Sequence, residues 1–410
     1  MSNSDQRGGL DRRHFLQASL LTGLGLATQP LQALAESIAK QPFSNGEREL
    51  IAYPQKRPLM RITTRPPHLE TPFEVFNEGL LTPNDAFYVR YHLANIPTSI
   101  DTNNYRITVR GCVNKPLDIS LDELKKLGES VEVVAVSQCS GNSRGYFTPR
   151  VFGAQLGNGS MGNARWVGLP LRTLLEHAGV QSNARQVTFR GMDRPVLPVT
   201  PTMTKSLDVE HALSPEPLIA WSMNGEDLPM LNGYPIRLVV PGYYATYWTK
   251  HLSEIEVIDH EFQGFFMQKA YRVPDNECEC LPVGSPLGAS RPISRLWVRS
   301  FITSLRNGQS IPLGQTQALR GIAFDGGSGI RSVEISDNGG RTWQPTRLGE
   351  SLGNYSFREW RTDWRPKSRG IVHLQVRARN NKGETQPAEA TWNPGGYARH
   401  SIETLPLHVI

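Results

Sequence analysis

Apolar residues along this chain fall into short runs, some alternating with polar residues and some continuous. Runs of strand length occur at Tyr105 to Arg110, Val131 to Ser137, Arg185 to Arg190 and Ile236 to Val240, and each predicts a strand. Two helix signatures lie between them. Ser120-Leu-Asp-Glu123 is a capping box, in which serine and glutamate satisfy each other's free backbone donors before Leu124 to Leu127. A second helix is predicted from Pro170 to His177, with Pro170 in its first turn and Gly179 at the left-handed cap. From about Pro282 the pattern becomes short alternating runs at Ser294 to Phe301, Gly329 to Ile335, Thr342 to Arg347 and Val372 to Ala378, separated by turns such as Asp337-Asn-Gly-Gly340. That spacing predicts an all-β sandwich. Residues 36–83 are rich in proline and polar groups with weak periodicity, and predict an arm wrapped over the surface.

The chain has 410 residues, which favours two or three units with ample core. At the N-terminus, Asp11-Arg-Arg-His-Phe-Leu16 precedes an apolar run from Ala18 to about Ala27 and then Ala33-Leu-Ala35, the order of a twin-arginine export signal with a small-residue cleavage site. The run falls short of the roughly 20 apolar residues that span a bilayer, so a cleaved peptide is expected, with mature protein starting near Glu36 and exported to the periplasm. Net charge is +6, and it stays mildly positive once the prefix is removed. No run of five lysines and arginines occurs, which argues against a nucleic-acid partner and leaves anions or acidic proteins as better candidates.

The four cysteines are Cys112, Cys139, Cys278 and Cys280, and no Cys-x-x-Cys-His haem attachment site occurs. No haem is therefore expected in this chain. Cys278 and Cys280 are read as loop thiols or a local bridge, and Cys112 as a small core residue. Cys139 stands apart, because the strand-like Val134-Ala-Val-Ser-Gln138 breaks at it into Cys139-Ser-Gly-Asn-Ser-Arg144. Upstream, Phe87-Tyr-Val-Arg-Tyr-His92 places Arg90 and His92 at period-two spacing, on one face if extended. One thiol, one histidine and two arginines suit a metal-bound thiolate beside an anion pocket.

Those two segments, with Gly159-Ser-Met-Gly-Asn-Ala-Arg-Trp166 and Pro229-Met-Leu-Asn-Gly-Tyr-Pro-Ile-Arg-Leu-Val-Val-Pro-Gly242, resemble the molybdenum cofactor domain of the sulfite oxidase family, most closely its bacterial sulfite dehydrogenases. The resemblance implies an α+β chain: a sulfite-oxidase-type molybdopterin domain over 84–281, followed by an immunoglobulin-like sandwich over 282–410 that often mediates dimerisation. It implies Mo-molybdopterin as cofactor, with Cys139 as the molybdenum ligand and Arg90, Arg144 and Tyr271 as catalytic residues. Tyr88, His92, Asp193, Asn232, Arg237 and Lys250 are implied as cofactor contacts. Asn232 departs from the family pattern, since animal members carry histidine there.

The implied reaction is oxidation of sulfite to sulfate, with electrons passed to a separate c-type cytochrome. A homodimer, or a heterodimer with a cytochrome subunit, is compatible with this. Three other readings stay open. They are the molybdenum subunit of a sulfane dehydrogenase in thiosulfate oxidation, a methionine sulfoxide reductase, and, outside enzymes, a secreted β-sandwich interaction protein.

Overall fold

Both predicted helices form. Leu121–Lys126 opens with the Ser120 hydroxyl accepting from Glu123 N, while the Glu123 carboxylate accepts from Ser120 N. Leu171–Ala178 ends on Gly179 at φ 70°. Pro170 stands just before that helix in an extended conformation, because the strand Met161–Pro170 runs straight into it. The structure, a computed structural model, describes residues 41–43 and 46–410. The expected export signal lies outside the described residues.

Two five-stranded sheets build the first domain. In one, Met161–Pro170 lies between Val131–Gln138 and Leu218–Met223, and the latter also pairs with Glu226–Asp227 and Arg237–Val239. In the other, Thr204–Asp208, Gln186–Arg190, Glu254–Ile258, Arg106–Gly111 and Leu117–Ser120 follow in that order, with one parallel pair, Glu254–Ile258 on Arg106–Gly111. Their shared core holds Phe87, Trp166, Trp248, Phe189 and Leu174, all buried. Burial of this many aromatic and branched side chains is the main stabilising term of the domain.

The expected arm is more ordered than its weak periodicity predicts. Leu50–Ile51, Leu59–Thr63 and His68–Glu70 form a sheet whose last strand is Val89–Arg90. Leu59, Leu69, Val89 and Tyr91 close a small core beneath it. The strands are too short for alternation to register in sequence.

The second domain is mostly β. Arg299–Ile302, Gln317–Phe324, Arg358–Trp364 and Arg347–Leu348 make one sheet, and Ser310–Ile311, Glu403–Val409, Gly370–Asn380, Ile330–Ser336 and Gln344–Pro345 the other. Trp360, Leu374, Val376 and Leu407 are buried together in their common core. The single run predicted over 342–347 is divided, since Gln344–Pro345 pairs in one sheet and Arg347–Leu348 in the other. Pro345 lacks the N–H needed to continue a ladder. The run predicted from Ser294 is strand only over Arg299–Ile302.

A further apolar cluster joins the domains, with Val136, Met161, Tyr244 and Tyr271 from the first packed with Phe301, Phe324, Phe357 and Ala398 from the second. Cys278 and Cys280 form a disulfide with each other. Cys112 is half-buried and packs at the edge of the first domain's core.

Candidate active site

Val131–Gln138 begins exposed and ends buried, so it runs inward and releases Cys139 at its inner end. The turn that follows is closed by Asn142 N donating to Cys139 O at 2.9 Å and Arg144 N donating to Gly141 O at 2.9 Å. Gly141 leaves room for the Arg144 guanidinium, which a Cβ there would approach to 2.7 Å and displace. Cys139 is a free thiol and lines a pocket together with Tyr88, Arg90, His92, Asp193, Asn232, Arg237, Lys250 and Tyr271. Segments far apart in sequence thus converge on one cavity.

Three cations face this cavity. Arg90, at the end of the short strand Val89–Arg90, is half-buried, and its guanidinium has no hydrogen-bond or ion-pair partner among the described residues. Arg237 lies between Trp166 and Trp248, 5.2 and 5.6 Å from their ring centroids, and donates to Asn232 O and Trp248 O. Burial brings its guanidinium down to about 10. Lys250 donates to Arg90 O and stands 3.8 Å above the Tyr91 ring. Burial and the neighbouring Arg237 lower its ammonium, against the opposing pull of Asp193. Burial raises the Asp193 carboxyl in turn.

His92 Nε2 is hydrogen-bonded to the Tyr271 hydroxyl. Burial, reinforced by Arg90 and Lys250, holds the His92 imidazolium well below the ordinary histidine range, so the ring is neutral. Burial pushes the Tyr271 phenol up, and the pair is two neutral groups at neutral pH. Tyr88 donates to or accepts from Ser137 Oγ at 2.9 Å. Asn232 acts as a strut: its amide donates to Tyr88 O at 3.0 Å and its oxygen accepts from the buried ammonium of Lys56.

Arg144 departs from expectation, because it does not line the cavity. Its Nε donates to Gly395 O at 3.2 Å and its Nη1 to Ala154 O at 3.4 Å, and the Tyr397 ring centroid lies 5.0 Å from it. Tyr397 also packs on Tyr271 at 5.2 Å. The second domain therefore covers this arginine. Sequence reasoning also missed a layer behind the thiol loop, where Ser160 accepts from Cys139 N through its carbonyl and donates through Oγ to Glu70 at 2.7 Å, with His68 Nε2 2.9 Å from the same hydroxyl. Burial pushes the Glu70 carboxyl up to about 7 and His68 well below its usual range. No motif marks His68 or Glu70, and Ser160 stands in the matched block from Gly159 to Trp166 without being singled out there as a site residue. Thr246 and Trp248 in the cavity wall could have been suspected from Thr246-Tyr-Trp-Thr-Lys250, a polar and aromatic run just before a candidate cation.

The residues suit a molybdopterin. Ser140 Oγ, Thr246 Oγ1 and Arg237 Nε are buried in residues lining the cavity and have no protein partner, so they call for a polar guest. Among the described residues no group of three or more histidine, cysteine or acidic side chains could hold a metal. A metal at Cys139 must bring its other ligands with it, as a pterin dithiolene does.

Comparison with known proteins agrees. The oxidoreductase molybdopterin-binding domain family matches residues 92–266, and the Mo-co oxidoreductase dimerisation domain family matches 290–401. The chain is 32% identical to sulfite oxidase of Gallus gallus over 329 residues, covering 78% of this chain and 68% of that protein. It is 32% identical to sulfite oxidase of Arabidopsis thaliana over 317 residues, covering 74% and 79%. Among solved structures, the sulfane dehydrogenase SoxCD from Paracoccus pantotrophus shares the fold, with a TM-score of 0.72 over 99% of this chain and 96% of that one, at 22% identity. Matches that run through both domains, on a chain whose buried thiol and cations line one cavity, place this protein in the sulfite oxidase family of molybdopterin oxidoreductases.

Proposed function

We propose that this protein oxidises sulfite to sulfate and passes the electrons to a separate c-type cytochrome. The observation that carries this reading is the Arg90 guanidinium, half-buried on the cavity wall beside Cys139 and free of any acceptor among the described residues. A free guanidinium fork at a partly dehydrated site is matched by a small oxyanion, whose lost hydration it replaces. Neutral His92 and Tyr271 add a hydrogen-bonded pair that can orient such an anion and hold a proton at the phenol oxygen.

Molybdopterin, when bound, supplies the transferable oxygen atom and accepts the two electrons. On this reading Cys139 is the protein ligand to molybdenum, and Arg237, Lys250, Asp193, His92, Tyr88 and Asn232 hold the pterin. Arg144 acts from behind Tyr397, adding positive potential without direct contact in the arrangement seen. The second domain is read as an immunoglobulin-like sandwich that supports a homodimer or a heterodimer with a cytochrome subunit. Export through the twin-arginine route would deliver the loaded protein to the periplasm.

Purified, cofactor-loaded protein should reduce both ferricyanide and cytochrome c when given sulfite, with molybdenum measured on the same sample. Full molybdenum content without sulfite turnover would overturn the sulfite reading in favour of a sulfane or sulfoxide substrate.

A further inference from the structure

The loop from Cys139 to Arg144 is held by the second domain at three points. Ala398 N donates to Ser140 O at 3.0 Å, Gly395 O accepts from Arg144, and Arg299 Nη2 donates to Ser143 Oγ at 3.0 Å. The last contact is unusual. Arg299 is 0% exposed, and its Nε and Nη1 have no partner. Its carboxylate, Glu403, is shared with Arg399, which donates to the same oxygen at 2.7 Å, while Arg299 donates to it at 2.6 Å. A buried guanidinium with half a counter-ion is a poor adhesive between domains, since apolar residues of similar volume would serve as well or better.

What Arg299 touches supplies a reason for it. Ser143 has φ 72°, in the left-handed region that non-glycine residues avoid, and it immediately precedes Arg144. Its hydroxyl also donates to Asn158 Oδ1 at 2.5 Å, and its N–H donates to Gly157 O at 2.6 Å. We propose that Arg299 is a positioning residue for Arg144, acting through Ser143: its hydrogen bond holds the left-handed turn that keeps the Arg144 guanidinium under Tyr397, whose other neighbour is the cavity residue Tyr271, so that its charge reaches the anion site from behind. The second domain thereby sets anion affinity in the first. This rests on the reading of the cavity as an anion-oxidising site.

The test uses molybdenum-loaded protein, with inorganic sulfate as a probe by calorimetric titration and sulfite in steady-state assays. R299M should raise the sulfate Kd and the sulfite KM together by about ten- to a hundredfold, the loss expected for one hydrogen bond to a charged group. Molybdenum content should hold and kcat should stay within about threefold, because the lost interaction concerns binding. S143G placed in the R299M background should recover most of the affinity, since glycine adopts this φ without strain. S143A keeps the strain and removes the hydroxyl, so it should reproduce the R299M loss, and it carries the test should R299M not fold. Unchanged affinity in R299M or in S143A, or no recovery in the double variant, would overturn the proposal. A wild type that neither binds sulfate nor oxidises sulfite would sink the proposed function and this inference with it; a wild type that does both, beside an unaffected R299M, would sink the positioning role alone.

Discussion

The Tyr397 ring covers the Arg144 guanidinium at 5.0 Å, so a side chain of the second domain roofs a cation carried by the thiol loop of the first. Gly396 makes the approach possible, because a Cβ there would lie 2.3 Å from Val151 Cγ2 and 2.9 Å from Arg144 Cγ, and its φ is 57°. G396A should therefore push Arg144 and Tyr397 apart. The expected result is a sulfite KM raised about tenfold with the fold retained, since small-to-large changes at close-packed points cost about 1–3 kcal/mol. Steady-state kinetics with a melting curve on the same sample checks it.

Replacing Cys139 with serine removes the thiolate that suits molybdenum. C139S should lose sulfite oxidation by at least about a thousandfold, roughly 4 kcal/mol of barrier, while far-ultraviolet circular dichroism stays unchanged. Normal turnover in C139S would contradict the ligand assignment.

Arg90 offers a planar fork where lysine would offer a point charge. R90K should raise KM for sulfite by about tenfold or more, and R90M further, because a charge-assisted hydrogen bond contributes about 1.5–3 kcal/mol. Equal KM values in wild type and R90M would show that the anion binds elsewhere.

Tyr271 occupies φ 58° and shares a hydrogen bond with His92. Y271F leaves the packing against Tyr397 and Phe266 intact but strips that bond. The expected outcome is a lower kcat and a higher KM, each by up to about tenfold, the range for a single neutral hydrogen bond. Measuring both constants across pH separates orientation from proton transfer.

Glu216 joins the domains, accepting from His211 at 2.9 Å, from the Tyr355 hydroxyl at 2.6 Å and from Arg295 at 2.8 Å. Burial pushes its carboxyl up, but these hydrogen bonds and the Arg295 charge prevail and bring it down to about 2, against a usual value of 4.5. Since the folded state lowers this value, Glu216 contributes stability that is fully present above pH 4.5 and is lost as pH falls toward 2. E216Q should lower the melting temperature at pH 7 and flatten its dependence on pH over that acid window. An identical pH dependence in both proteins would show that the cluster does not titrate on unfolding.

The sequence by itself determined the local structure wherever the signal is local. The Ser120 and Glu123 capping box, the Gly179 cap and the strand Val131–Gln138 leading to Cys139 depend on neighbouring residues or on a run of apolar side chains long enough to show its period. The family resemblance implied Arg90, His92, Cys139, Arg237, Lys250 and Tyr271, and the fold brings these six to one cavity. Tertiary structure decided what depends on contacts between distant segments. The short strands His68–Glu70 and Val89–Arg90 are stabilised by pairing with each other and by Leu59 and Leu69 beneath, so no periodicity announces them. Whether Arg144 faces the cavity or lies under Tyr397 depends on Gly395 and Gly396, some 250 positions away along the chain. Packing and hydrogen bonding act through space, and a pattern read along the chain registers them only when the partners are also near in sequence.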